Sequence, residues 1–126
     1  MVIHKQFQDF VLFLYVHMAL ADHFLHPSEE QVILDKMSKL FPAEGNPKKK
    51  YDQAVAEYRA LEPALAMAVI RESFSFFNKV TFSQKYKVYT DMYDVVNADG
   101  KVEESEKIAL DALKQIIDIN SEMRHA

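Results

Sequence analysis

The feature that most constrains this fold is an apolar stretch of twelve residues at positions 10–21, interrupted only by His17. Its apolar residues recur at spacings of three and four, as in a helix, and others fill the remaining sides. A helix that is apolar all round is buried in a protein core or in a membrane. Because a membrane span needs about 18 or more apolar residues, the stretch predicts a central core helix and no membrane insertion.

Composition limits the class of protein further. The 126 residues include two glycines and no cysteine, and the formal net charge is −4. Few glycines disfavour an all-β fold or a glycine-rich phosphate loop, and the lack of cysteine excludes disulfides and thiolate zinc sites. An acidic chain lacks the basic surplus of a nucleic-acid binder. We expect a single domain over residues 1–126 and, since no targeting signal stands out, a cytoplasmic protein.

Helical periodicity recurs along the chain. Pro27 and Pro63 suit first helical positions, Thr81 and Gln84 have capping-box spacing, and residues 43–50 form the one evident loop. The predicted helices span residues 7–21, 27–41, 50–61, 63–80, 81–96 and 104–119. No segment alternates as a strand does. The sequence therefore predicts an all-α, compact bundle of about six to seven helices.

Two stretches of the chain, residues 21–29 and 98–106, repeat each other at an offset of 77, the difference between positions 99 and 22. Asp22 corresponds to Asp99, and Glu29 corresponds to Glu106. Each copy lies between an apolar helix and an amphipathic one. The bundle is thus predicted to consist of two pseudo-repeated helix–turn–helix halves.

The repeated carboxylates admit two interpretations. Each aspartate lies near a helix C-terminus, where the macrodipole disfavours an anion by about 0.3–1 kcal/mol, and is followed by His23 or Gly100, at a position where left-handed residues are common. The carboxylates either cap their own turns and helices or converge on a hard cation that prefers oxygen ligands. An EF-hand is excluded, because placing Gly100 at loop position 6 puts Val95 at the first ligand position.

The doubled Ala-Asp-Gly-x-(Ile/Val)-x-x-x-Glu pattern resembles the TerB-like family of bacterial tellurite-resistance proteins, and the N-terminal domain of DjlA-type co-chaperones is similar. The resemblance covers essentially the whole chain, although His23 replaces the glycine in the first copy. It implies an all-α cytoplasmic bundle linked to stress or metal-oxyanion response, without established catalysis. It also implies metal-ion binding through Asp22, Glu29, Asp99 and Glu106.

Histidines near the first turn provide further candidate ligands. His23 and His26, and more distantly His17, cluster around Asp22 in sequence and could add nitrogen ligands for zinc or nickel; the alternative is that they are surface or capping residues. The sequence has no zinc-protease, P-loop or serine-hydrolase motif. We therefore expect no enzymatic activity and no cofactor other than a divalent metal ion.

Remaining features are interpreted structurally. The run of three lysines at 48–50 is expected in a solvated loop rather than at a nucleic-acid or phospholipid surface. Phe76 falls off the apolar stripe of its helix and, if exposed, would suit self-association. The other apolar positions of the last helices are expected in the core, namely Tyr86, Tyr89, Tyr93 and Ile108.

Two functions are compatible with these observations. The first is a stress-response-type module that binds a divalent metal ion through the paired acidic turns. The second is a protein-interaction scaffold or homo-oligomer in which the acidic turns are purely structural caps.

Overall fold

The computed structural model describes residues 3–21, 26–43, 45–77, 79–98, 100 and 104–125, with only the backbone at residues 63 and 118–125. These residues contain six α-helices and no β-strand. In chain order they are α1 (Phe7–Ala19), α2 (Pro27–Leu40), α3 (Pro47–Ala60), α4 (Pro63–Phe76), α5 (Phe82–Val96) and α6 (Glu104–His125). The predicted all-α bundle is confirmed.

The first helix is the centre of the bundle, as its composition predicts. Nearly every residue from Phe10 to Ala19 is buried, on all sides of the helix, with His17 only partly so. Helix α1 contacts each of the other five helices. Around it pack α2 against α3 and α5, and α6 against α4 and α5. The apolar surface of α1 is thus removed from water by the whole chain.

The starts of the helices follow local sequence. Pro27 and Pro63 open α2 and α4 as predicted. The capping box of α5 is also confirmed, because the Thr81 hydroxyl accepts from the backbone N–H of Gln84 at 3.2 Å and the Gln84 side chain accepts from that of Thr81. These bonds satisfy backbone donors that have no partner within the helix.

The lysine run does not lie in a loop, so that prediction is wrong. Helix α3 begins at Pro47, and the three lysines occupy its first turn. Asn46 is the cap, since its side chain accepts from the backbone N–H of Lys49 at 3.1 Å. An asparagine cap followed by proline at the first helical position starts a helix efficiently, which outweighs the unfavourable lysines near the N-terminus.

The tyrosines of α5 are not core residues, contrary to expectation. Tyr86 and Tyr93 are exposed, Tyr93 to 48%, and Tyr89 is only half-buried. Helix α5 instead buries Val88, Met92 and other residues on a different face. Ile108 is likewise 61% exposed on α6. Helical spacing alone identifies an apolar stripe but not which of two neighbouring stripes faces the core.

Two helix ends also differ from prediction. Helix α4 ends at Phe76 rather than near residue 80, and α6 continues to His125 rather than stopping near residue 119. None of the helices in the described part of the chain is both long and apolar enough to cross a membrane. Phe76, at the end of α4, is 49% exposed.

Candidate functional site

The two repeated glutamates are the described part of the predicted acidic site. Glu29 and Glu106 lie in the first turns of α2 and α6 and are only 1% and 2% exposed. Glutamates are rarely buried so completely unless their charge is compensated. The other predicted carboxylates, Asp22 and Asp99, and the candidate ligand His23 lie outside the described residues.

His26 lies beside Glu29, as the sequence suggested. It is the N-cap residue of α2, and its Nε2 atom is 3.8 Å from the Glu29 Oε1 atom. The Glu29 side chain is buried, whereas His26 is partly exposed. A nitrogen donor and a carboxylate are therefore adjacent at the start of α2, although at this distance they form at most a long ion pair.

Tyr51 of α3 adds an oxygen that sequence analysis missed. The residue is fully buried, and its hydroxyl has no hydrogen-bond partner among the described residues. Burial raises the pKa of this phenol, and the nearby carboxylates of Glu30, Asp52 and Glu29 raise it further. The hydroxyl is therefore protonated at neutral pH, near the carboxylates at the start of α2. No motif near position 51 predicts this proximity, because it depends on how α3 packs on α2.

An ion-pair network borders the same region. The Lys48 Nζ atom contacts carboxylate oxygens of both Glu30 and Asp52, and lies 5.3 Å from the centre of the Tyr51 ring. These hydrogen bonds raise the pKa of Lys48. Only the pair with Glu30 joins α2 to α3, since Lys48 and Asp52 both belong to α3. Because the Lys48 side chain is largely exposed, neither pair stabilises the fold strongly.

In the second turn, the backbone at Gly100 has the left-handed conformation that the sequence predicts. Gly100 has a φ of 78°, in the left-handed region that glycine adopts without steric cost. Its N–H donates to the carbonyl of Asn97 at 2.9 Å, and Asn97 is the C-cap residue that directly follows α5. The predicted left-handed residue after the repeated aspartate is confirmed in this copy. Its counterpart His23 is not among the described residues.

His17 of α1 contacts α3. Its Nδ1 atom is 2.8 Å from the Tyr58 hydroxyl of α3, and the two rings contact edge to face with centres 5.7 Å apart. Burial lowers the pKa of His17 to about 4. His17 is therefore a partly buried residue whose exposed surface is reduced by its contact with α3.

The donor set determines which metals would fit. Within the described ranges, no three histidine or acidic side chains are grouped so that they could hold a metal ion. With no cysteine in the chain, the predicted ligands are carboxylates with one or two imidazoles. Carboxylate oxygens suit hard cations such as Ca²⁺ and Mg²⁺.

Comparison with known proteins identifies the family. No curated protein and no solved structure matches the chain. The family model described as "Tellurite resistance protein TerB" matches residues 8–126, which is essentially the whole sequence. The resemblance carried by the doubled acidic motif is thereby confirmed. This all-helical chain, with its two buried glutamates at equivalent helix starts, belongs to the TerB family.

Proposed function

We propose that the chain is a non-enzymatic, cytoplasmic module of stress-response type that binds a divalent metal ion through its acidic turns. The ligands would be Asp22 and Glu29 in the first turn, and Asp99 and Glu106 in the second. His26, and His23 beside it in sequence, would assist at the first turn.

The observation that carries this proposal is the burial of Glu29 and Glu106 at equivalent positions of the repeat. Keeping a carboxylate out of water costs several kcal/mol unless other charges or hydrogen bonds compensate. Doing so twice, in the same local context, favours a shared role over accident. A bound cation would add to the favourable electrostatics that each helix N-terminus already gives these carboxylates.

The description of the family is compatible with a binding role. The matching family model is described by tellurite resistance. That description names resistance to an oxyanion and does not name a catalysed reaction. A small binding module fits that description without any catalytic group. The partly exposed imidazole of His26 beside Glu29 is also compatible with an ion-binding role.

The decisive experiment measures thermal unfolding with Ca²⁺, Mg²⁺ or Zn²⁺ and with a chelator. A ligand present at 100 times its Kd stabilises the native state by about 2.7 kcal/mol, so wild type should melt at higher temperature with the correct metal. Native mass spectrometry before and after chelation should show loss of the ion.

The double variant Asp22→Ala/Asp99→Ala should lose the metal response. A matched control is Asp35→Ala/Asp111→Ala, which removes two exposed aspartates, one from α2 and one from α6. The control should respond as wild type does. An unchanged metal response in the Asp22/Asp99 variant would refute the proposed ligands.

A second candidate function, self-association or partner binding, is favoured by an aromatic stripe on α5. The stripe consists of Phe82, Tyr86, Tyr89 and Tyr93, at successive spacings of four, three and four. Phe82 and Tyr86 have ring centres 5.7 Å apart, and those of Tyr86 and Tyr89 are 5.5 Å apart. Three of the four side chains are exposed, and exposed aromatic groups are typical of interfaces.

Sedimentation velocity distinguishes this candidate. If the stripe mediates dimerisation, wild type should shift from monomer to dimer as concentration rises, and Tyr86→Lys/Tyr93→Lys should remain monomeric. Lys49→Glu, an exposed change on α3, serves as the control. A wild-type protein that is monomeric at every concentration and recovers no partner in pull-down would contradict the scaffold function.

A further inference from the structure

A cavity that differs in composition from the acidic turns lies between helices that contact one another. It is bounded by α1, α2 and α5, and its volume is about 310 Å³. Phe7, Val11, Leu40 and Val88 give its lining an apolar surface. This volume is at the lower end of the range for small-molecule sites.

One end of the cavity carries an ordered polar network centred on Asp91. The Tyr15 hydroxyl donates to its Oδ2 atom at 3.3 Å, while Lys36 and Lys87 each place Nζ 3.1 Å from one of its oxygens. Tyr15 is buried, and Lys36 and Asp91 are each largely buried. The network therefore holds these side chains in place before any ligand arrives.

The charge of the lining is positive although the protein is acidic. Three lysines, at positions 36, 39 and 87, face Asp91, and Asp94 also pairs with Lys36 at 3.2 Å, which leaves a net charge of +1, against −4 for the whole chain. Asp91 is already shared by Lys36 and Lys87. Lys39 makes no ion pair with any described residue, so its ammonium group is available to a ligand.

We propose that this cavity binds a small organic anion with an apolar body, such as a medium-chain carboxylate. The apolar lining would cover the body, and Lys39 with the remaining donors of Lys36 and Lys87 would bind the charged group. A cation is disfavoured by the three lysines, and a purely inorganic anion would leave the apolar lining unused. Because the cavity is at the lower end of the size range of small-molecule sites, it suits a ligand as small as octanoate. This site is independent of the acidic turns and of any metal ion.

Titration with octanoate below its micelle concentration tests the proposal, with calorimetry and amide NMR as readouts. Octanoate should bind saturably with one ligand per chain, and the shifted resonances should lie in α1, α2 and α5. Acetate should bind at least about fivefold more weakly because it lacks the apolar body, and octylammonium should do so because its charge is reversed.

Variants locate the site. Lys39→Glu should weaken octanoate binding by about fivefold or more, the ratio expected for losing one solvent-exposed ion pair. The matched control Lys49→Glu has the same charge change at an exposed position on α3 and should bind within about twofold of wild type. Leu40→Trp should fill the cavity and abolish binding if it folds; Lys39→Glu alters an exposed side chain and remains informative in either case.

Three results would overturn the proposal. They are octanoate binding that does not saturate, octylammonium or acetate binding as tightly as octanoate, and Lys39→Glu binding octanoate as Lys49→Glu does. Saturable octanoate binding with the expected loss in Lys39→Glu would support it, whatever the response of the protein to metal ions.

Discussion

The two repeated units, α1 to α2 and α5 to α6, are alike on one side and different on the other. At the offset of 77, Val11 corresponds to Val88 and Met18 to Val95, and all four are buried. Val16, also fully buried, corresponds to the exposed Tyr93. The shared positions belong to the hydrophobic core of the bundle. The remaining positions differ because α1 is surrounded by helices, whereas α5 has one side open to solvent.

The second helix of each unit repeats more closely. Glu29 and Glu106 are both buried in the first turn, and one turn later Ile33 and Leu110 are both buried as well. Burial of the glutamate is therefore a property of the unit itself, independent of whether the preceding helix is central or peripheral. This similarity is why we propose that the function lies at the starts of α2 and α6 and in the turns before them.

The largest expected difference between the units concerns their first helices. Phe10→Ala removes a fully buried ring that contacts those of Phe74 and Phe77, with centres 5.2 Å and 5.6 Å away. We expect a loss of about 3–5 kcal/mol in the free energy of unfolding. Tyr93→Ala on α5 should cost less than about 1 kcal/mol. Urea denaturation measures both, and equal losses would refute the central position of α1.

The second prediction concerns stability in acid and His17, a partly buried base of the first unit. The pKa of His17 is lowered to about 4 from 6.5, so below pH 6.5 the unfolded chain takes up a proton that the folded chain does not. The free energy of unfolding should therefore fall as pH falls from 6.5 to 4, by about 3 kcal/mol at most.

The counterpart of His17 in the second unit is Asp94, which is 62% exposed. Unfolding measured from pH 7 to pH 4 should show a shallower loss in His17→Gln than in wild type, whereas Asp94→Asn should follow the wild-type curve. A wild-type slope in His17→Gln would mean that this histidine is protonated in the folded protein.

The smallest prediction concerns the turn of the second unit. Gly100→Ala places a side chain at a φ of 78°, although no atom lies within 4 Å of the added Cβ. The cost is therefore conformational, about 1–2 kcal/mol. Gly45→Ala also meets no atom within 4 Å, and its φ lies outside the left-handed region, so it should be neutral or stabilising by about 0.4–1 kcal/mol. Thermal unfolding of the two variants tests this, and a neutral Gly100→Ala would argue against a left-handed turn.

Much of the fold follows from local sequence. Proline at positions 27 and 63 and the capping box at Thr81 place helix starts correctly, because the determining groups lie within one turn of each other. The central position of α1 follows from its composition. The doubled motif predicts the turn at Gly100 and the family.

What depends on packing between distant segments was not predictable. The tyrosines of α5 have core-like spacing, yet only the arrangement of neighbouring helices decides that Val88 and Met92 face inward instead. The same holds for the contact of His17 with Tyr58 and for the buried hydroxyl of Tyr51, each of which joins α3 to residues more than 20 positions earlier. The candidate metal ligands Asp22 and Asp99 remain predictions.

The position of α1 also has a consequence for synthesis. Its contact with α6 joins the first described helix to the last, which begins 97 residues after the start of α1, at position 104 against position 7. At ~5–20 residues per second, the ribosome releases α1 roughly 5–20 s before α6. During that interval a helix that is apolar on every side lacks one of its covering partners. The nascent chain should therefore depend on chaperone binding near its beginning until translation has passed α6.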